Sequence, residues 1–203
     1  MTNVSCVLFD LGGVIINWNN SWLIRDVSEQ FQLQEEKLAE EFYKNLDEIS
    51  TGKIMEKEFW HNVGKGLESS KLANLNESLL NKIFRKYVSL NESLISLSRN
   101  LSQKDISVGI LSNTESVTYS IVEDLFSLNH FKYKFLSYEI GHLKPEPEIY
   151  YHVIDNVPFP KEEIFFIDDL KSNVESARSV GIDSIQYSDY DRLVDEFRRR
   201  KLV

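Results

Sequence analysis

Only one cysteine, Cys6, occurs among the 203 residues, which excludes an intramolecular disulfide and fits a reducing compartment. It stands inside an apolar run, so packing is its expected role. Positive charge is also scarce. There are 23 Lys and Arg against 32 Asp and Glu, a formal net charge of -9, whereas a nucleic-acid surface needs a basic stripe to match the phosphate backbone. The one basic cluster, Arg198, Arg199, Arg200 and Lys201, falls at the end of an expected helix, where cations complement the macrodipole. No run approaches the ~18 apolar residues of a membrane span. The opening stretch from Val4 to Ile16 lacks a basic leader and is interrupted by Asp10, so it does not read as a signal peptide. His61, His130, His142 and His152 are scattered without the spacing of a zinc site, and internal repeats and low-complexity linkers are missing. The expected location is the cytoplasm, with neither nucleic acid nor membrane as partner; the oligomeric state is left open.

What is present suits a globular enzyme. Apolar residues make up 42% and charged ones 27%, a balance that can bury a substantial core at this length. The run Val4 to Phe9 reads as a buried strand, ended by Asp10 and the Gly12-Gly13 turn. From Ser21 to about Tyr87 apolar residues recur at helical spacing (Leu38, Phe42, Leu46 and Ile49, then Phe59, Val63 and Leu67) with a break near Thr51-Gly52. After Leu94 the pattern alternates. Strands are expected at 107–111, 135–138, 164–167 and 184–187, and helices at 117–125, 148–154, 174–180 and about 190–201. Alternation of this kind predicts an α/β fold, a parallel sheet covered on both faces with ligands at the carboxyl ends of its strands. The helical block is then an insert.

Four segments follow the predicted strands: Asp10 to Gly13, Ser112 to Thr114, Gly141 to Pro145, and Asp168-Asp169. A parallel sheet brings all four to one edge. Taken singly each has a plainer reading: an Asp-Gly-Gly turn, a helix cap at Ser112-Asn113, a solvated loop lysine at Lys144. Asp168-Asp169 is the strongest alone, because adjacent carboxylates repel unless a cation or donor is near. Together they suit phosphoryl transfer. Carboxylates supply hard oxygen ligands for Mg²⁺, a hydroxyl and an ammonium stabilise phosphoryl oxygens, and glycines let backbone N–H groups approach.

The segments Phe9-Asp10-Leu11-Gly12-Gly13-Val14, Leu111-Ser112-Asn113-Thr114, Gly141-His142-Leu143-Lys144-Pro145-Glu146-Pro147 and Phe166-Ile167-Asp168-Asp169 through Asn173 resemble the four ordered motifs of the haloacid dehalogenase-like hydrolases. The resemblance spans nearly the whole chain. It is nearest to the capped small-metabolite phosphatases, including the phosphatase domain of soluble epoxide hydrolase and the glucose-1-phosphate phosphatases. It implies a Rossmann-like parallel-sheet core at 1–15 and 92–203 and a helical cap at 16–91. It implies Asp10 as the nucleophile that forms an aspartyl-phosphate, and Ser112 and Lys144 as catalytic partners on the phosphoryl group. Gly12, Gly13 and Asn113 would contact substrate. Asp10, Asp169, the carbonyl of Gly12 and, through water or at one remove, Asp168 would hold Mg²⁺, with Asn173 orienting the acidic pair.

One departure stands out. Most phosphatases of the family carry an acid/base Asp two residues after the nucleophile; here that position is Gly12. The expected activity is hydrolysis of a small phosphomonoester such as a sugar phosphate. The alternative is a catalytically impaired relative that binds a phosphorylated metabolite or a protein partner. Dehalogenation is disfavoured by the acidic pair, and phosphomutase chemistry by the missing acid/base. Thr51-Gly52-Lys53 followed by Glu58-Phe59-Trp60 is a stretch where the cap would meet the site, but the favoured reading puts Phe59 in the cap core and Trp60 on the cap surface.

Overall fold

The computed structural model describes residues 3–203. Its elements, in chain order, are β1 (Cys6–Phe9), β2 (Ile16–Asn17), α1 (Asn20–Phe31), α2 (Glu35–Ser50), α3 (Glu56–Gly66), α4 (Ser70–Ala73), α5 (Leu79–Tyr87), β3 (Ser89–Leu90), α6 (Glu92–Ser102), β4 (Ser107–Ser112), α7 (Ser116–Leu125), β5 (Tyr133–Leu136), α8 (Ser137–Ile140), α9 (Pro147–Asn156), β6 (Ile164–Asp168), α10 (Lys171–Ser179), β7 (Asp183–Gln186) and α11 (Tyr190–Arg199). The five longer-range strands form one parallel sheet in the order β5-β4-β1-β6-β7. The chain runs outward from β1 through β4 to β5, then returns to β6 on the other side of β1. That reversal makes the boundary between β1 and β6 the switch point, where an open α/β sheet forms its crevice.

The strands are continuous apolar runs because both faces are covered. Successive side chains alternate between faces. Val7 and Phe9 therefore join one core with Leu101 of α6, Val122 of α7 and Phe197 of α11, while Cys6 and Leu8 join the other with Ile149 and Tyr150 of α9 and Ala177 of α10. Each such side chain contributes about 1.5–3 kcal/mol by leaving water. Cys6 has the packing role expected of it: it is wholly buried, and burial pushes its thiol up to about 12.

Between β2 and β3, which pair antiparallel as a short ribbon, helices α1–α5 build a third core of their own around Phe42, Phe59, Trp60 and Val63. The helical spacing of this block is realised, with more interruptions than the one near Thr51-Gly52. Gln32 closes α1 in the left-handed conformation, and Ser69 and Ser78 cap fresh starts at α4 and α5.

The strand expected at 135–138 begins earlier and stops at Leu136. Ser137 opens α8 instead, its hydroxyl accepting from the Thr114 N–H and donating to the Ser50 carbonyl. That hydrogen bonding draws the chain out of the ladder. At the other end of the molecule the basic cluster is absorbed: Arg198 pairs with Asp195, Arg199 with Glu196, and Arg200 with Asp183 and Glu196. No helix among the described residues is long and apolar enough to cross a membrane.

Candidate active site

Asp10 follows β1 and Asp168 ends β6, so neighbouring parallel strands deliver both to the switch point. Register fixes this: Phe9 lies opposite Ile167, and the Asp10 N–H donates to the Ile167 carbonyl at 2.8 Å. Lys144 arrives from the loop after α8. That loop is anchored on β4, because Asn113 accepts from the Lys144 N–H and donates to the Lys144 carbonyl, each at 2.8 Å. Asn113 thus lines the cavity with its amide already engaged.

Lys144 is buried between two carboxylates, its Nζ 2.8 Å from Asp10 Oδ1 and 2.6 Å from Asp168 Oδ2, and it also donates to the Leu111 carbonyl at 3.0 Å. Burial opposes its charge, but Asp10 and Asp168 outweigh that and raise its pKa. Asp168, with no exposure, accepts further from Asn173 Nδ2 at 3.0 Å on both oxygens and from the Leu170 N–H at 2.8 Å. Asn173 therefore orients Asp168. Asp10 Oδ1 takes the Leu11 N–H at 2.7 Å; its Oδ2 has no hydrogen-bond partner among the described residues. Burial lifts the Asp10 carboxyl to about 7, Lys144 pulling it down and Asp168 and Asp169 adding to the rise.

Asp169 is half-buried and raised in pKa by burial and by Asp168. Its carboxylate forms no ion pair within 4.0 Å among the described residues. Gly13 makes room for it: a Cβ there would lie 2.5 Å from Asp169 Oδ2, and the backbone holds φ +74°, a conformation suited to glycine. Oxygens of Asp10, Asp168 and Asp169 lie within 4.8 Å of one another. Three carboxylates against one ammonium leave the cluster short of positive charge. The Asp169 carboxylate and the Gly12 carbonyl, both unclaimed among the described residues, stand with the Asp10 carboxylate as the hard oxygen donors that Mg²⁺ takes, so the residues fit that ion.

These groups open onto a cavity of ≈ 410 Å³. Ser112, buried, lines it, its hydroxyl donating to the Asn113 carbonyl at 3.3 Å and to no other acceptor among the described residues. Of the residues given catalytic, substrate or metal roles from the four strand-end segments, all line the cavity except Asp168, which sits behind Lys144. None of the four histidines does; His142 pairs with exposed Glu146.

The helical block supplies the opposite wall through Tyr43, Leu46, Asp47 and Ser50 of α2, one helical face at i, i+3, i+4 and i+7, with Trp18, Asn19, Asn20 and Phe84 beside them. Sequence reasoning missed this face. Thr51-Gly52 does meet the other part of the molecule, Gly52 packing against the Tyr138 carbonyl, but neither lines the cavity. Phe59 and Trp60 are both core, each 1% exposed, and the Trp60 indole donates to Glu56 at 3.1 Å; the surface position expected for Trp60 is corrected. Glu115, which also lines the cavity, could have been suspected from its place directly after Ser112 to Thr114.

The family model for haloacid dehalogenase-like hydrolase matches residues 7–187. The chain belongs to this family. It is 26% identical over 198 residues to the D-ribitol-5-phosphate phosphatase of Bacteroides thetaiotaomicron, covering 89% of this chain and 90% of that protein. It is 25% identical over 194 residues to the sesquiterpene phosphatase astK of Aspergillus oryzae, covering 93% and 92%. The rat bifunctional epoxide hydrolase 2 is 27% identical over 198 residues, but the chain spans only 36% of its length. Among solved structures, a HAD-family enzyme of B. thetaiotaomicron in complex with magnesium and inorganic phosphate superposes with a TM-score of 0.77 at 25% identity, covering 94% of this chain and 99% of that one. The chain is thus an enzyme of the haloacid dehalogenase-like hydrolase class, and two relatives that match most of their own length are phosphatases.

Proposed function

We propose that this protein is a Mg²⁺-dependent phosphatase of small phosphomonoesters, such as a sugar phosphate, with residues 16–91 as its cap and 1–15 with 92–203 as its catalytic core. The observation that carries the reading is the Asp10 carboxylate: one oxygen is fixed by Lys144 and the Leu11 N–H, while the other has no hydrogen-bond partner among the described residues. A nucleophile held at one oxygen is aimed without being occupied. The phosphatase relatives support the same reading.

In the first step Asp10 Oδ2 bonds to phosphorus, the bond to the leaving oxygen breaks, and an aspartyl-phosphate remains. Lys144 and the Ser112 hydroxyl stabilise the phosphoryl oxygens, and the Gly12 N–H, which has no acceptor among the described residues, assists. When bound at Asp10, Asp169 and the Gly12 carbonyl, with Asp168 behind them, Mg²⁺ supplies the positive charge that lets two anions approach. Water then hydrolyses the aspartyl-phosphate and Asp10 is restored. With Gly12 carrying no carboxyl, protonation of the leaving oxygen falls to solvent or to another group.

The test is phosphate release from a metabolite panel with and without Mg²⁺, repeated with Asp169→Ala. Activity that depends on Mg²⁺, with weakened Mg²⁺ binding by calorimetry in the variant, is expected; unchanged Mg²⁺ binding in Asp169→Ala would overturn the ligand assignment. Gly12 favours a second reading, a binder of phosphorylated metabolites or of a protein partner without turnover, and absence of any phosphate release would support it.

A further inference from the structure

Two carboxylates on the cavity wall have no part in the phosphoryl chemistry. Asp47 projects from α2, and Glu115 precedes α7. Neither forms an ion pair within 4.0 Å among the described residues, and the nearest hydrogen-bonding contact of Glu115 across the cavity is the Ser50 hydroxyl at 3.4 Å. No arginine or histidine lines the cavity, and its one lysine, Lys144, is held by Asp10 and Asp168.

We infer that the part of the cavity beyond the phosphate selects an uncharged, hydroxyl-bearing organic group, with Asp47 and Glu115 as the specificity-determining residues. This rests on the phosphatase reading above. A second phosphate or a carboxylate on the substrate would face two carboxylates with no cation to answer it, and like charges set together are strongly disfavoured. A hydrocarbon group would fail for the opposite reason, because it would take water from Asp47, Glu115 and the amides of Asn19 and Asn20 and give back no hydrogen bond. Sites built of such groups reject analogues that lack the matching hydroxyl.

Hydroxyls satisfy both requirements. They donate to the carboxylates and accept from the Asn19 and Asn20 amides, whose N–H groups have no protein acceptor among the described residues; Asn19 and Asn20 use their carbonyl oxygens on the Ser21 N–H and the Trp18 indole. Trp18 and Tyr43 line the same cavity and offer apolar ring surface to the C–H groups of such a substrate. A volume of ≈ 410 Å³ is at the small end of the roughly 300–1,000 Å³ of ligand cavities, which suits a short polyol.

The experiment compares kcat/KM for a pentitol 5-phosphate, butyl phosphate and phosphoglycolate in the parent, Glu115→Gln and Asp47→Asn. The pentitol ester is expected to lead both others by roughly 10²-fold or more, and the double variant should cut its lead over phosphoglycolate by about tenfold or more. A parent that turns over phosphoglycolate or butyl phosphate as well as the pentitol ester would overturn the inference, as would variants that leave the ratios unchanged. Failure to turn over any of these or p-nitrophenyl phosphate would instead sink the phosphatase reading. Calorimetry with Asp10→Asn and Mg²⁺ then decides the inference separately: tighter binding of the pentitol ester than of phosphoglycolate supports it, and equal or reversed binding overturns it.

Discussion

The two walls of the cavity are built on opposite plans. At the sheet edge, Lys144, Asp168 and Asn173 hold one another at 2.6–3.0 Å and are buried. Across the gap, Asp47, Tyr43 and Asn19 are exposed, and Asp47 has no ion pair among the described residues. The first plan fixes groups before a ligand arrives, which suits charge stabilisation on a phosphoryl group common to every substrate. The second leaves polar groups to be satisfied by the ligand, which suits discrimination among organic groups. On the function proposed above, the chemistry rests on the fixed wall, and selectivity on Asp47 of the open wall together with Glu115, which precedes α7 of the core.

The sharpest break is at the nucleophile. Asp10→Asn keeps the shape and loses the anion, so steady-state phosphate release is expected to fall on the order of 10⁴-fold or more, with circular dichroism unchanged. An active Asp10→Asn protein would remove the sheet edge from the chemistry.

Next comes the difference in how much each wall matters to stability. Lys144→Ala strands Asp168 in the interior without its counter-charge, and chemical denaturation should show a loss of about 3–5 kcal/mol. Asp47→Asn, on the open wall, should stay within about 0.5 kcal/mol of the parent. Equal losses would mean that the two walls are not built differently.

Gly12 bridges the comparison, since it lies at the sheet edge yet faces open space: no atom comes within 4 Å of a Cβ built there. A side chain can therefore start there without a clash at its Cβ. With p-nitrophenyl phosphate the parent should give a burst of p-nitrophenol and an aspartyl-phosphate on Asp10 detectable by mass spectrometry at low pH. Gly12→Asp should shorten the life of that species by ~10²-fold. Rapid-quench data without phosphoenzyme in the parent, and without gain in the variant, would show that another group already serves as acid/base.

The smallest expected effect is on pH and metal. The Asp10 carboxyl is raised from 3.8 to about 7, so between those values the folded chain holds a proton that the unfolded chain has released. Its contribution to stability is therefore present below 3.8 and lost as pH rises through about 7. Mg²⁺ competes with that proton. The Mg²⁺-induced rise in Tm should accordingly be larger at pH 8 than at pH 6 and level off above about 7. Equal shifts at both pH values would separate the metal from Asp10.

The four strand-end segments were legible because buried parallel strands are written as short apolar runs, and parallel direction puts all their carboxyl ends on one edge. Ser137 and Tyr138 are misplaced for a related reason: apolar Phe135 and Leu136 suggest a strand that continues to Tyr138, while the Ser137 side chain, bonding to Thr114 and Ser50, ends the ladder at Leu136, two residues earlier. The cap wall was not legible. Aromatic residues drew attention to Glu58-Phe59-Trp60, but large apolar rings serve a small helical core first, and Phe59 and Trp60 pack against Phe42 there.

By itself the sequence determined the alternation of helix and strand, the parallel sheet that follows from it, and the identity of the groups at the sheet edge, since these depend on local periodicity and on residues directly after each strand. Only the tertiary structure decided which face of α2 looks into the cavity, that Asp47 and Glu115 stand there without an ion pair among the described residues, and that Lys144 is locked between Asp10 and Asp168. Those outcomes depend on the docking of a helical layer and on contacts between residues far apart in the chain, which no local pattern records.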